Sequence, residues 1–434
     1  MRIISSISAI LLAITLPLME PSMSPMEAAG LVRTPVSASP GKKPKAILTM
    51  SPLSSDTPLL KGTGGETNIT ISSRADWSIS SDADWFTASP SSGKRGRKKV
   101  SLITYPNETG RDRTATVTII ADGEEHIFTV RQRADIFSRK AIISGHVTNQ
   151  GVLYYNSSAL TKVFFVLPCP VTNEYQDISN LNAPGCRRSE CPDGINHYVS
   201  KTIKNAKETV MAQSGSHTVT ETFDATVYQV TTDFSLITDI PDYDPRSEEC
   251  KLFLMKESDH IDPTHKKIVS VSNMLWSEAG GDIIGYARLC SDWTHDNMTY
   301  TTVHPKNVTF SYLMQNMKGE CGNFSTVFIA LLRAKGIPAR HIAMVNPKDG
   351  SYHMRAEFYI PAYGWIPADP TWGKGNFGVF KGEFVVMCRG SVISLRDTEG
   401  EEFVSQSLQK YFYHYYYQNT QGSLSAKHSC WGLR

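Results

Sequence analysis

The stretch Lys318-Gly319-Glu320-Cys321-Gly322-Asn323-Phe324-Ser325-Thr326-Val327-Phe328-Ile329-Ala330-Leu331-Leu332-Arg333-Ala334-Lys335-Gly336-Ile337-Pro338 decides how this chain is read. A turn-prone Gly-Glu-Cys-Gly segment runs into an apolar run in which Val327, Phe328, Leu331 and Leu332 recur at helical spacing. Gly336 and Pro338 end it. The pattern predicts a buried helix with Cys321 at its N-terminal mouth, where the helix dipole favours a thiolate. Downstream, His353 opens an alternating stretch, and Asp369 lies within Trp365-Ile366-Pro367-Ala368-Asp369-Pro370-Thr371. Cys, His and Asp in that order are the parts of a thiol-based acyl-transfer triad.

The chemistry needs those residue types. An ordinary thiol is only a few per cent ionised at neutral pH, and a helix N-terminus with an imidazole partner corrects this. His353 is expected to take the thiol proton and return it to the leaving group. Asp369 is expected to hold the imidazole in the required tautomer. His353, Arg355, Glu357 and Tyr359 share one face of the predicted strand, and Met354, Ala356, Phe358 and Ile360 the other. Pro361-Ala362-Tyr363-Gly364 reverses the chain, so Asp369 reaches the His353 face only through an odd-numbered connection centred on Ala362, or a bulge. The Cys321 N–H and the Gln315 side chain are candidate oxyanion donors. Trp365 and Trp372 either line a cleft or pack the sheet.

Four blocks in order carry a family resemblance. They are Gly319-x-Cys321-x-Asn323-Phe324, Leu331-Leu332-Arg333-Ala334-x-Gly336-Ile337-Pro338-Ala339-Arg340, His353-x-x-x-Glu357 and Gly364-Trp365-Ile366-Pro367-x-Asp369-Pro370-Thr371. Together they resemble the transglutaminase-like superfamily over roughly Ile268 to Trp372. The resemblance implies a papain-like α+β fold with Cys321 as nucleophile, His353 as base and Asp369 as orienting acid. Asn323 stands where that family often has an acid. Met354 and Arg355 stand where it commonly has a small residue and a tryptophan.

Upstream the pattern is β. In 46–133, short alternating runs (Thr67 to Ser72, Trp77 to Ser80, Lys99 to Thr104, Thr114 to Ala121, His126 to Gln132) are separated by turn signals and predict a small sandwich. Trp77-x-Ile79, Trp85-Phe86, Ser89-Pro90-Ser91-Ser92-Gly93, Asn107, Arg113-x-Ala115 and Val130-x-Gln132 resemble the BACON domain. That resemblance implies an immunoglobulin-like sandwich of secreted Bacteroidetes proteins, with glycan or mucin contact as its proposed role. Trp77 and Trp85 are read as core packing before sugar stacking, and Lys94 to Lys99 as a solvated hairpin tip.

Segment 134–240 predicts a second β-rich domain, with strands at Ala141 to Thr148, Thr161 to Leu167, Ser216 to Tyr228 and Val230 to Ile237. Its Leu167-Pro168 and Tyr175-Gln176 pattern is similar to the β domain preceding the core in many bacterial transglutaminase-like proteins. Segment 241–434 is expected to be the catalytic domain, with helices near Ile268 to Trp276 and Asp282 to Thr294 ahead of the nucleophile. The aromatic tail ending in Tyr411 to Tyr417 is expected to pack back on it.

Composition narrows the function classes. The chain has 434 residues, and its 44 basic and 42 acidic side chains leave a net charge of +2, which argues against a nucleic-acid partner. Residues 1–29 read as an export signal, because the apolar run Ile3 to Leu18 is too short to span a bilayer, and 30–45 read as a linker. Neither a transmembrane anchor nor a lipidated N-terminal cysteine is expected, so the product would be soluble, and periplasmic or secreted. No cofactor or metal site is expected. Cys186 and Cys191 flank a turn-like stretch and are the expected local disulfide, and Cys290 is expected to be a buried apolar thiol.

The reading is therefore multidomain: immunoglobulin-like sandwich, β-rich sandwich, and papain-like α+β core. The expected function is an exported cysteine hydrolase that cleaves an amide of a peptide, peptidoglycan or glycoprotein through a thioester. The alternatives are a cross-linking transamidase with an amine acceptor, and a non-enzymatic glycan- or protein-binding protein with a relic triad.

Overall fold

The computed structural model describes residues 48–51, 59–157, 159–204, 214–257, 260–302, 309–405, 407–418 and 421–433. The expected export signal and linker lie outside them. Among the described residues no helix is long and apolar enough to cross a membrane.

The first sandwich follows from alternation. One sheet runs Leu48–Ser51, Gly65–Ser73, Gly96–Thr104, Phe86–Ser89, and the other Leu59–Leu60, Glu124–Gln132, Arg113–Ala121, Trp77–Ser81, Ser92–Gly93. Every second residue of these strands points inward, so Ile69, Ile71, Val100, Leu102, Val117, Ile119 and Val130 close a core around Trp77. Trp77 is 3% exposed and packs as core. Trp85 is half-buried under the Arg113 guanidinium, 4.4 Å from its ring centroid. The basic hairpin tip is largely exposed, with Lys94 paired to Asp76.

The second sandwich is built on two long strands, Phe137–Ser157 and Ser214–Thr232, paired antiparallel along nearly their whole length. The second of these joins into one strand what the sequence suggested as two, and the chain then leaves it through a short 3-10 turn at Phe234–Leu236. The facing sheet is ordered Arg187–Glu190, His197–Lys204, Lys162–Cys169, His414–Gln418. Both sheets are completed from beyond residue 241. His414–Gln418 pairs with Lys162–Cys169, Gly422–Gly432 pairs with Phe137–Ser157, and Val379–Phe380 pairs with Ser214–Thr232. The expected disulfide is absent: Cys186 and Cys191 are both free. The residues between them form the extended strand Arg187–Glu190, not a turn, and so hold the two thiols apart.

The α+β domain has Lys266–Glu278, Ile283–Asn297 and Cys321–Arg333 as its main helices. Its antiparallel sheet is ordered Gly364–Ala368, Tyr352–Ile360, Ala339–Val345, Val385–Arg389. Asp282 caps its helix through the Gly285 N–H, and Cys290 is fully buried in that helix's apolar face. In the helix that begins at Cys321, Phe324 to Arg333 are all buried, and Phe328 meets Phe358 edge-on across the sheet. Pro361 to Tyr363 forms a three-residue connection, with Ile360 paired to Gly364 and Ala356 to Ala368. Ala362 takes the left-handed conformation, at φ 67°, that closes this turn. The connection is the odd-numbered one, which directs Asp369 to the face of Arg355 and His353.

Candidate active site

Cys321 is the first residue of its helix, so its N–H has no intrahelical acceptor. Local chemistry fixes this start. The Glu320 N–H donates to Asn323 Oδ1 at 3.0 Å, so the asparagine supplies the capping oxygen where the resembling family often has a carboxylate. A Cβ on Gly319 would fall 2.4 Å from Asn323 Cβ, which makes glycine a requirement of the cap. Thr299–Tyr300 pairs in parallel with Lys318–Gly319 and steadies the approach to the nucleophile. Below the first turn, His341 Nε2 lies 3.3 Å from the Gly322 carbonyl and 3.2 Å from Thr326 Oγ1. Burial drives His341 down to about 4, so it is a neutral donor to that carbonyl.

His353 and Asp369 meet directly. His353 Nε2 donates to Asp369 Oδ2 at 2.7 Å, and the carboxylate is fully buried. Asp369 Oδ1 accepts the Thr371 N–H at 3.1 Å. With Nε2 committed to the carboxylate, Nδ1 is the nitrogen left for Cys321. Burial opposes a charged imidazole, but hydrogen bonds to Asp369 and Cys321, with their charges, outweigh it and carry His353 up to about 9. Burial likewise pushes Asp369 up. The His353 hydrogen bond, the Arg355 charge and the Thr371 N–H overcome it and hold the carboxyl below its ordinary range. The three residues singled out in the sequence are thus brought together, with the His353 imidazole bonded to the Asp369 carboxylate and influenced by the Cys321 sulfur.

The two tryptophans separate. Trp372, 41% exposed, stacks on the His353 ring with centroids 4.5 Å apart, and Lys381 Nζ lies 4.8 Å from the Trp372 ring centroid. Trp365 is buried, with the Arg340 guanidinium 3.8 Å from its ring, and serves packing. Tyr300, 61% exposed, tilts against Phe324 beside the nucleophile. Gln315 is exposed near the end of the short helix Phe310–Asn316, and the Cys321 N–H, without an intrahelical acceptor, is a candidate oxyanion donor.

Sequence reasoning missed the ion network behind the site. Glu357 accepts Arg340 Nε at 2.6 Å and the Tyr175 hydroxyl at 2.8 Å, and lies 3.3 Å from Arg389 Nε. Arg389 also pairs with Glu174 at 2.6 Å. Gln176 brackets the Val386 backbone, accepting its N–H at 2.7 Å and donating to its carbonyl at 2.9 Å. The one signal for all this was two charged residues on the inward face of the histidine strand.

Comparison with known proteins agrees with this architecture. Residues 276–370 match the family model of the transglutaminase-like superfamily core. Residues 75–133 match the BACON domain, described as "Putative binding domain, N-terminal". An uncharacterized protein of Haemophilus influenzae is 36% identical over 77 residues, covering 12% of this chain and 21% of its own length. The uncharacterized protein YebA of Bacillus subtilis is 28% identical over 156 residues, covering 32% of this chain and 19% of its own length. The chain thus spans about a fifth of the length of these curated relatives. A solved structure from Cytophaga hutchinsonii, described as "a Putative Cysteine Protease", covers 68% of this chain and 92% of its own at 16% identity and a TM-score of 0.46. The periplasmic domain of TgpA from Pseudomonas aeruginosa covers 69% of this chain and 89% of its own at 14% identity and a TM-score of 0.28. The chain therefore carries one segment that matches the BACON domain and one that matches the transglutaminase-like core.

Proposed function

We propose that this protein is an exported cysteine hydrolase that cleaves an amide through a thioester on Cys321, with His353 and Asp369 completing the triad. The observation that carries the reading is the 2.7 Å bond from His353 to a fully buried Asp369, on an imidazole whose hold on its proton Cys321, at a helix mouth, also strengthens. The apolar run Ile3 to Leu18 supports export.

The steps follow from these positions. The Cys321 thiol passes its proton to His353 Nδ1 as the sulfur attacks the amide carbonyl carbon. The new C–S bond moves the carbonyl π electrons onto oxygen, where the Cys321 N–H stabilises the oxyanion. Collapse breaks the C–N bond, and His353 gives its proton to the departing amine. The neutral imidazole then takes a proton from water. Hydroxide adds to the thioester, and collapse releases the carboxylic acid and returns Cys321 as thiolate against the imidazolium. Asp369 stays ionised throughout and holds the ring in place. Tyr300, tilted against Phe324, and Trp372, stacked on His353, are exposed aromatics that would contact the acyl chain. A peptide, a peptidoglycan cross-link or a glycoprotein amide fits this chemistry.

The test is a panel of peptide, glycopeptide and peptidoglycan amides incubated with the purified protein and with Cys321→Ala. Amide release by the parent protein and a loss of at least about 10³-fold in the variant is the expected outcome. Full activity in Cys321→Ala would overturn the proposal.

A further inference from the structure

Asp369 is shared between two cations. Its Oδ2 accepts from His353, and the same oxygen lies 3.7 Å from Arg355 Nε. The Arg355 side chain is 2% exposed, and its Nε makes no hydrogen bond. Nη2 donates to the Val379 carbonyl at 2.6 Å, and the guanidinium lies 5.2 Å from the Phe380 ring centroid. Val379–Phe380 is the short strand added to the edge of the second sandwich. Glu357, the other carboxylate on this strand face, is taken up by Arg340 and Arg389. Asp369 is therefore the near counter-charge of Arg355.

We infer that Arg355 is a positioning residue for the triad: it neutralises Asp369 so that His353 is free to lose and regain its proton during each turnover. This rests on the triad reading proposed above. Charge balance in a dry site requires such a partner. With Arg355 present, guanidinium and carboxylate cancel, and the thiol–imidazole pair is neutral before proton transfer and neutral in sum after it. Without Arg355 the buried carboxylate has only His353 to compensate it, since a buried charge left unpaired is costly. The imidazole would then keep its proton to a higher pH than it does beside Arg355, and would be a poorer base for water attack on the thioester. The other groups facing this site leave that balance in place. Cys321 lies on the nucleophile helix, Glu357 on the same strand and Tyr175 on the second sandwich. Lys381 lies over Trp372, and His295 reaches the Pro370 carbonyl. Glu357 is matched by two arginines, and Tyr175 donates to it.

The experiment compares the parent protein with Arg355→Gln and Arg355→Lys. The first readout is the alkylation rate of Cys321 by iodoacetamide against pH, with half-buried Cys186 as internal reference. The second is accumulation of acyl-enzyme by intact mass with a hydrolysed amide. Arg355→Gln should move the upper inflection of the alkylation profile up by about one pH unit, as removal of a nearby cation does. It should also slow thioester hydrolysis about 10-fold or more, so that acyl-enzyme builds up. Arg355→Lys should restore the inflection. An Arg355→Gln protein that is folded by circular dichroism, with an unmoved inflection and no acyl-enzyme, would overturn the inference and leave the triad standing. A parent protein whose Cys321 reacts no faster than Cys186 would overturn the triad reading itself, and this inference with it.

Discussion

The two β-sandwiches are joined to the α+β domain in different ways. The first has its own closed hydrophobic cluster around Trp77. It meets the rest of the protein through polar anchors: Arg133 binds Asp112 at 3.1 Å and Asp239 at 3.0 Å, with Tyr363 under the guanidinium, and Lys61 reaches Glu249 at 3.4 Å. Tyr363 and Tyr359 lie at the end of the histidine strand remote from His353, about 20 Å along it at the usual rise per residue. The second sandwich shares one continuous cluster with the sheet that carries His353, in which Phe164, Tyr175 and Phe223 stand with Phe328 and Phe358. It also inserts Glu174, Tyr175 and Gln176 behind the His353 strand. A separate core marks an attached module, and a shared core marks one folding unit.

The largest expected effect breaks the shared side. Glu357→Gln removes the carboxylate that compensates Arg340 and helps compensate Arg389, and uncompensated buried charge costs about 3–5 kcal/mol. Denaturant unfolding should show the second sandwich and the α+β domain losing stability together, in one transition. Separate transitions for these two would contradict a shared core. A smaller effect is expected on the attached side. Arg133→Met leaves Asp239, whose side chain is 72% exposed, able to find water, and should cost roughly 1–2 kcal/mol of docking. Limited proteolysis should then cut near residue 134, while Cys321 keeps its alkylation rate. A slowed Cys321 in this variant would mean that the first sandwich takes part in the site.

Much of this was legible in the sequence for local reasons. The nucleophile helix, the histidine strand and the Asp369 segment each carry a periodicity or a turn signal within a few residues. The alternation of the strand alone left the loop at Ala362 open, and the odd connection was expected only because a triad needs Asp369 on the His353 face. The first sandwich was legible because its strands are short, consecutive and cleanly alternating. What the sequence hid is long-range pairing. Gly422–Gly432 is mostly small and polar residues, and nothing local says that it lies beside Phe137–Ser157, with Ser157 paired to Gly422 and Val147 to Gly432. Arg355 and Glu357 were visible as sharing the His353 face of one strand, but their partners Arg340, Arg389 and Val379 come from other strands. Cys186 and Cys191 misled because the four polar residues between them look like a turn when read alone.

The central claim is that Cys321 is held reactive by a charged His353. Burial disfavours that charge, and the bonds to Asp369 and Cys321 reverse the balance, so the imidazolium persists up to about 9 in the folded protein against an ordinary 6.5. Its contribution to folding stability is therefore full below pH 6.5 and is lost as pH rises through about 9. The direct measurement is the second-order alkylation rate of each of the eight cysteines between pH 5 and 10, resolved by peptide mass spectrometry. The account predicts that Cys321 reacts far ahead of the other seven already at pH 6, with an upper inflection near 9 that disappears in His353→Ala. A Cys321 that follows the single ordinary thiol titration, at a rate equal to that of Cys186, would contradict it.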